Sequence, residues 1–149
     1  MPYLSGIRTP HEHPNIEGSI FGLNLNTNKK NIAWAIIEGI SFIFKECQDI
    51  LINNNYNFPK EIVLIGGGAK NIQWAKILSS LLNVKIFVPE NQDYVASIGA
   101  IRLAMNNLTM SKYKPIFPES NVIDVDLPLR EILLERFDRY MEHQKLLLI

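Results

Sequence analysis

The fold is decided by the stretch of residues 61–71, which reads EIVLIGGGAKN. Its first five residues are mostly apolar and β-branched and are closed by glycines, which predicts a strand buried in a parallel sheet. The three glycines allow positive φ angles and a close approach of the backbone to a ligand. A helix is predicted from about residue 72 to residue 82, and its first free N–H groups would suit a phosphate. The stretch therefore predicts a ligand-binding turn between a strand and a helix.

A purely structural role for these glycines stays open, because a tight strand-to-helix turn needs such residues whether or not it binds a ligand. Two known phosphate-binding patterns are excluded. The segment is not a P-loop, since no second Gly-Lys-Ser/Thr follows at the required spacing. It is not the dinucleotide fingerprint, since that pattern needs a third glycine further along the chain.

Strand and helix patterns alternate on both sides of this stretch. Apolar residues recur at steps of three and four between residues 32 and 51, which predicts a helix that ends at the asparagines 53–55. A last amphipathic helix is predicted over 127–145, after a Pro-containing connection at 106–126. The other predicted elements are strands over 19–23, 61–65 and 84–88 and a helix over about 95–105. This order predicts an α/β domain with right-handed crossovers and a largely parallel sheet covered by helices.

The periodicity also predicts which side chains face the core. The inward positions are Ile32, Ile36, Ile40, Ile43, Cys47 and Ile50 in the first helix, Trp74, Ile77, Leu78 and Leu81 in the second, and Leu129, Leu133, Phe137, Tyr140 and Met141 in the last. On this pattern Cys47 is a core residue and not a nucleophile. The third helix carries the small residues Ala96, Gly99, Ala100 and Ala104, a spacing that favours tight packing on the sheet.

Composition places the chain among soluble globular proteins. Its 149 residues suit one domain, with 47% hydrophobic and 20% charged residues. The formal net charge is zero and the basic residues are scattered, which argues against a nucleic-acid partner. No apolar stretch is long enough to cross a bilayer, so no membrane partner is expected. A single cysteine fits a reducing compartment, and we expect the protein in the cytoplasm.

Two histidines, His11 and His13, flank Glu12 in the first loop. Two histidines without further placed ligands are weak evidence for a metal site, and the pattern favours ordinary loop residues. No Ser/His/Asp set can be assembled from the sequence. We therefore expect no metal-binding and no catalytic residue in this chain.

Three segments together resemble the C-terminal domain of the sugar-kinase family that includes xylulokinase, gluconokinase and glycerol kinase. They are YLSGIRTPH at 3–11, GSIFGL at 18–23 with AIIEG at 35–39, and IGGGAKN at 65–71 with Trp74, VPE at 88–90 and ASIGA at 96–100. Their spacing also matches, and the resemblance covers residues 3–105 and, loosely, the final helix. Ile7 departs from the acidic residue usual in the first of these loops.

The resemblance implies an actin/hexokinase-like, ribonuclease H-like fold with a mixed sheet and covering helices, in a two-domain kinase that binds ATP in its cleft. It implies that Gly66, Gly67, Gly68 and Ala69 line the nucleotide and that Asn71 reaches the adenine. Gly99 resembles the glycine of the helix that closes the adenosine pocket. Mg²⁺ would accompany the nucleotide.

The resemblance further implies that residues 1–149 form a partial C-terminal, nucleotide-binding domain. The family's catalytic aspartate, sugar-binding residues and first phosphate loop belong to an N-terminal domain, which we expect to be absent here. The chain alone is therefore expected to be inactive. Its partners would be ATP or ADP, with the sugar bound only by the full-length enzyme.

The reaction that the resemblance implies is phosphorylation of a ketopentose, D-xylulose, by ATP to give xylulose 5-phosphate. Two alternatives stay open: gluconate as the acceptor, and a non-catalytic module for nucleotide binding or dimerisation. We also expect a homo-oligomer, because the strand predicted over 19–23 would present unpaired backbone groups at a sheet edge.

Overall fold

A computed structural model describes residues 1–90, 94–109 and 120–147. An N-terminal loop region precedes four helices and three short strands that alternate along the chain. The helices are α1 (Lys29–Asn53), α2 (Ile72–Leu82), α3 (Val95–Thr109) and α4 (Leu127–Leu147), and the strands are β1 (Glu61–Val63), β2 (Lys85–Pro89) and β3 (Ser120–Ile123). A 3₁₀ helix, Gly67–Lys70, lies between β1 and α2. No helix in these ranges is long and apolar enough to cross a membrane.

The sheet is mixed, in the order β1-β2-β3. Strand β1 pairs with β2 in parallel, and β2 pairs with β3 in an antiparallel ladder that matches Phe87 to Val122. The mixed sheet is confirmed, whereas β3 was not predicted. Its four residues lie inside the segment 106–126 that was interpreted as a connection, and a strand this short has too little alternation to stand out. Residues 106–109 of that segment also differ from the prediction, since they continue α3. Residues 110–119 fall outside the described residues.

The prediction of a strand over 19–23 is wrong. The segment has no regular structure, and Gly22 adopts a φ of +78°. Ile20 and Leu23 are exposed and have no neighbouring strand in the described part of the chain. The segment is held instead by a pair of bonds between the backbones of Met1 and Ser19. A strand needs a neighbouring strand to pair its backbone hydrogen bonds, so an apolar composition alone does not predict one reliably.

Two apolar clusters form the core. The first joins the N-terminal loop to α1, α2 and α4, and the second lies between α2 and the sheet. Their buried members are Tyr3, Ile16, Phe42, Ile77, Leu81, Leu133, Phe137 and Tyr140 in the first, and Ala69, Ala75, Leu78, Leu82, Val84, Ile86 and Val88 in the second. The inward positions predicted for α2 and α4 are confirmed, with Trp74, Leu129 and Met141 only partly buried.

The face of α1 that packs inward agrees only in part with the predicted one. Ile43 packs against the first core cluster, and Ile32 and Cys47 are partly buried. Ile36, Ile40 and Ile50 are exposed, by 49%, 36% and 42%. The buried face carries polar residues, among them Glu46 and Gln48. Because apolar residues occur almost all round this helix, its periodicity could not select a face. The buried polar groups are tolerated because each has a hydrogen-bond partner. For example, Gln48 Nε2 donates to the Leu82 carbonyl at 2.8 Å.

Strand β1 is an edge strand, not the buried strand that the sequence predicted. Glu61 and Val63 are exposed, and only Ile62 is partly buried. The chain leaves the strand after Val63, although the Leu64 N–H still donates to the Phe87 carbonyl at 2.8 Å. This bond fixes where the glycine turn begins.

Candidate functional site

The glycine turn begins at Gly66, which has a φ of +90° and a ψ of −179°. This φ favours glycine, because a Cβ would clash with the local backbone. A Cβ built on Gly66 or on Gly67 would meet no heavy atom within 4 Å among the described residues beyond its chain neighbours. Both glycines are exposed. The backbone at this point is therefore open to close approach from outside.

Gly68 differs from Gly66 and Gly67 because the ring of Trp74 occupies the space where its side chain would lie. A Cβ on Gly68 would lie 2.1 Å from Cζ3 of Trp74, a distance that no real contact allows. Glycine is required here by the packing of the protein itself. The structural role that the sequence left open therefore applies to Gly68, while Gly66 and Gly67 face open space.

Ala69 and Asn71 complete the turn in different ways. Ala69 is fully buried in the cluster between α2 and the sheet, so it supports the turn from below. Asn71 is exposed and forms the N-cap of α2. Its Oδ1 accepts hydrogen bonds from the N–H groups of Gln73 at 3.1 Å and Trp74 at 3.2 Å.

This cap changes the expectation of free N–H groups at the start of α2. Two of the first N–H groups are satisfied by Asn71, so they are not available to a phosphate. The 3₁₀ helix also separates the glycines from the start of α2. The cap uses the side-chain oxygen of Asn71, and the NH₂ group of this exposed side chain remains a hydrogen-bond donor.

Gly99 makes no direct contact with the turn. Gly99 is exposed on α3, and a Cβ there would meet no heavy atom within 4 Å among the described residues outside its own helix backbone and neighbours. Ala96, Ala100 and Ala104 are exposed as well. The expected tight packing of this small-residue face is therefore wrong within the described part of the chain.

The side chains beneath the turn were not singled out as a group by the sequence. Trp74 Nε1 donates to Ser41 Oγ at 3.0 Å, and the Ser41 hydroxyl donates to the Ile37 carbonyl at 2.8 Å. Phe44 approaches Trp74 edge-on, with ring centroids 6.3 Å apart. Ser41 and Trp74 are 33 residues apart in sequence, so no local pattern could have joined them.

A polar cluster ties the N-terminal loop to α1 and α4. His11 Nε2 lies 2.5 Å from Oε1 of the buried Glu46, whose Oε2 accepts from Gln144 at 3.0 Å. The Nδ1 of His13 is buried and has no hydrogen-bond partner among the described residues. No group of three His, Cys, Asp or Glu residues in the described ranges could hold a metal ion.

Cys47 lies partly buried on α1. Burial, followed by the nearby charge of Glu46, raises the pKa of its thiol. A raised pKa keeps the sulfur protonated, and the thiolate is the nucleophilic form. The geometry therefore agrees with a packing role for this residue.

A cavity of about 400 Å³ lies between the N-terminal loop, α1 and α4. The residues that line it include Phe21, Glu38, Arg136, Arg139 and His143. The sequence did not point to it, because its walls come from segments about a hundred residues apart. Arg136 and Glu38 form an ion pair in its wall.

Comparison with known proteins places the chain among sugar kinases. The chain is 46% identical over 103 residues to the xylulose kinase of Staphylococcus xylosus, which covers 69% of this chain and 21% of that protein. It is 30% identical over 146 residues to the xylulose kinase of Escherichia coli, which covers 97% of this chain and 28% of that protein. A gluconokinase of Bacillus subtilis is more distant, at 28% identity over 111 residues.

Solved structures agree. A "xyloylose kinase" from Brucella ovis superposes with a TM-score of 0.88 at 29% identity, over 99% of this chain and 31% of that one. A Plasmodium falciparum glycerol kinase with ADP gives a TM-score of 0.76 at 25% identity, over 95% of this chain and 29% of that one. The chain thus spans less than a third of the length of the relatives it matches.

The model of the FGGY family of carbohydrate kinases, C-terminal domain, matches residues 1–108. The match contains the N-terminal loop, α1, the glycine turn and α2, which are the parts described above. This chain belongs to the FGGY family of carbohydrate kinases.

Proposed function

We propose that the chain forms part of the ATP site of a kinase that phosphorylates D-xylulose to xylulose 5-phosphate. The observation that carries the proposal is the exposed backbone at Gly66 and Gly67, which leaves room for a ligand against the turn. Membership of the kinase family supports ATP as that ligand. The similarity to xylulose kinases supports the ketopentose as the acceptor, and the gluconokinase match is weaker.

The roles of individual residues follow from their positions. Gly66 and Gly67 would lie against the nucleotide, with Gly68 and Ala69 holding the turn from within. Asn71 would donate from its amide to an acceptor nitrogen of adenine while its carbonyl continues to cap α2. Gly99, on α3, would help to close the adenosine pocket.

The chemistry of phosphoryl transfer depends mainly on positioning and electrostatic stabilisation. Mg²⁺ would enter with the phosphates of ATP and help to neutralise their charge, and we assign no residue of this chain to it. We likewise assign no catalytic base. By the proposal, the residues that hold the sugar and accept its proton belong to the part of the relatives that this chain does not span, and the isolated chain is inactive.

Two further parts of the proposal concern the protein as a whole. The cytoplasm is its expected location, since a single cysteine fits a reducing compartment. A homo-oligomer is its expected state. Because the segment 19–23 is not a strand, we expect the chains to associate through the edge strand β1. The residues Ile36, Ile40 and Phe44 also form an exposed apolar stripe on α1, a feature typical of interfaces.

The nucleotide site is tested by titrating the chain with ADP and UDP while its backbone amide signals are followed by NMR. ADP should shift the signals of residues 66–71, and UDP should bind more weakly. Asn71→Ser keeps an oxygen that can cap α2 but removes the amide donor. It should lower ADP affinity about five-fold, the effect of one hydrogen bond.

The matched control is Asn28→Ser, because Asn28 caps α1 with the same kind of bonds. This control should leave ADP binding unchanged. Equal affinity for ADP and UDP, or shifts that avoid residues 66–71, would refute the nucleotide site. The acceptor is tested separately, by comparing D-xylulose with gluconate in a kinase assay of the full-length enzyme.

A further inference from the structure

Trp74 occupies a special position between the glycine turn and α1. The six-membered part of its ring lies directly beneath Gly68, where a Cβ would be 2.1 Å from Cζ3 and 2.9 Å from Cε3. The ring is therefore in contact with the backbone of the turn. A different orientation of this ring would either push against the turn or leave a gap beneath it.

The other end of the ring is fixed by α1. Nε1 of Trp74 donates to Ser41 Oγ at 3.0 Å, and Ser41 is fully buried. The same hydroxyl donates to the Ile37 carbonyl at 2.8 Å, so its own rotation is restricted. Phe44 on α1 packs against the ring as well. The indole is thus anchored to α1 by one hydrogen bond and one ring contact.

We infer that Ser41 and Trp74 are positioning residues for the nucleotide turn, and that they transmit the position of α1 to Gly68. The inference rests on the proposed nucleotide site. The turn has few side chains of its own to hold its shape: Ala69 is buried, whereas side-chain positions at Gly66 and Gly67 would face open space. Beneath Gly68 the backbone rests on the ring of Trp74, and Ser41 fixes the orientation of that ring.

The first test removes the hydrogen bond and leaves the rest of the packing. Ser41→Ala should shift the NMR signals of residues 67–69 in the free protein and lower ADP affinity about five-fold. Trp74→Phe removes the same hydrogen bond and also the part of the ring that lies beneath Gly68, so its effect should be at least as large. The double variant should be no worse than Trp74→Phe alone, since Ser41 acts on the turn only through the indole. Trp34→Phe is the matched control. It removes an indole that donates to Glu38 and does not contact the turn, so neither quantity should change.

The second test uses the clash at Gly68. Gly68→Ala should displace the turn and weaken ADP binding about ten-fold in the wild-type background, because the new Cβ meets the indole. Trp74→Leu removes the ring atoms that cause the clash. In that background, adding Gly68→Ala should change the ADP affinity by less than about two-fold, and the NMR signals of the turn should shift less than they do in the wild-type background. If Trp74 only filled space, Ser41→Ala would leave the ADP affinity unchanged.

The outcomes separate the two proposals. Unchanged turn signals in Ser41→Ala, or additive effects of Ser41→Ala and Trp74→Phe, would overturn the positioning role. If the wild-type chain binds no ADP, the proposed function fails, and the signals of the free protein still decide whether Ser41 positions the turn. Dispersed signals elsewhere in each spectrum establish that the variant is folded.

Discussion

Arg136 of α4 donates to the carboxylate of Glu38 on α1, and the same oxygen, Oε1, also accepts from the indole N–H of Trp34. The side chain of Glu38 is only 9% exposed, whereas that of Arg136 is 41% exposed. A carboxylate buried to this extent needs its partners, since an unpaired buried charge is costly. The pair joins two helices whose sequences are 98 residues apart at this point.

Removing this arginine should destabilise the fold. Arg136→Met keeps most of the apolar stem but leaves Glu38 with one neutral donor, so the free energy of unfolding should fall by about 1–3 kcal/mol. The control is Arg139→Met on the same helix. Arg139 Nη2 lies 3.5 Å from Oε1 of Glu135, whose side chain is 76% exposed. That change should cost less than about 1 kcal/mol. Urea denaturation measures both, and equal losses would show that the buried pair contributes nothing special.

The two buried tyrosines predict a loss of stability in alkali. The hydroxyls of Tyr3 and Tyr140 lie 2.5 Å apart, and Gln144 donates to that of Tyr3 at 2.7 Å. Burial raises the pKa of both hydroxyls above the value in the unfolded chain. The unfolded chain therefore loses these protons first, so the contribution of the two tyrosines to the free energy of unfolding should be constant below about pH 10 and decrease above it. Tyr140→Phe should reduce that slope. An unchanged slope would mean that Tyr140 ionises equally in both states.

Gly66 and Gly67 should respond differently to alanine. Gly66→Ala should lower the free energy of unfolding by about 1–2 kcal/mol, because its φ of +90° is strained for any side chain. Gly67→Ala meets open space and should stay within about 0.5 kcal/mol of wild type. If the nucleotide lies against this backbone, the methyl group should still weaken ADP binding at least about ten-fold. Denaturation measures the stability of both variants, and titration measures their ADP affinity. Normal ADP affinity of the Gly67→Ala chain would show that the ligand does not bind against the turn.

Gly99 tests whether α3 takes part in the site. Alanine is better than glycine inside a helix, and the position is exposed, so Gly99→Ala should stabilise the fold by about 0.5–1 kcal/mol. A stabilised variant with weaker ADP binding would support the closing role implied by the family. Full ADP affinity would exclude Gly99 from the site, leaving the substitution as a gain in stability only.

Self-association should depend on the edge of β1. The Lys60 carbonyl accepts a hydrogen bond from β2, and the Leu64 N–H donates one to it. Because the bonding direction alternates along a strand, the backbone groups of Glu61 and Val63 point to the outer edge. Val63 is 41% exposed, and Val63→Lys should place a charge there without disturbing the core. Analytical ultracentrifugation should show oligomers for wild type and a shift toward monomer for the variant. Leu25→Lys, in a fully exposed loop position, should have no such effect. A wild type that is monomeric at high concentration contradicts the proposal.

Local sequence signals were sufficient for α2. Its start and end follow from Asn71, whose side chain caps the first turn, and from Asn83, which takes the left-handed conformation after the last. The apolar positions between them fall on one face, and these residues are buried as predicted. The face of α1 could not be predicted in this way, because the buried Glu46 and Gln48 are far more polar than the exposed Ile36. Burial on this helix was decided by the neighbouring elements.

The sequence by itself determined the helices, the glycine turn and the family, because each depends on residues close together in the chain or on motifs at fixed spacing. Only the tertiary structure decided what the turn rests on and which polar groups are buried. Trp74 reaches Gly68 and Ser41 at once, and Glu38 meets Arg136, through the packing of α1 against α2 and α4. Ser41 and Trp74 are 33 positions apart, and Glu38 and Arg136 are 98 positions apart. The energy that selects such contacts comes from burial shared among several elements, which no local pattern records.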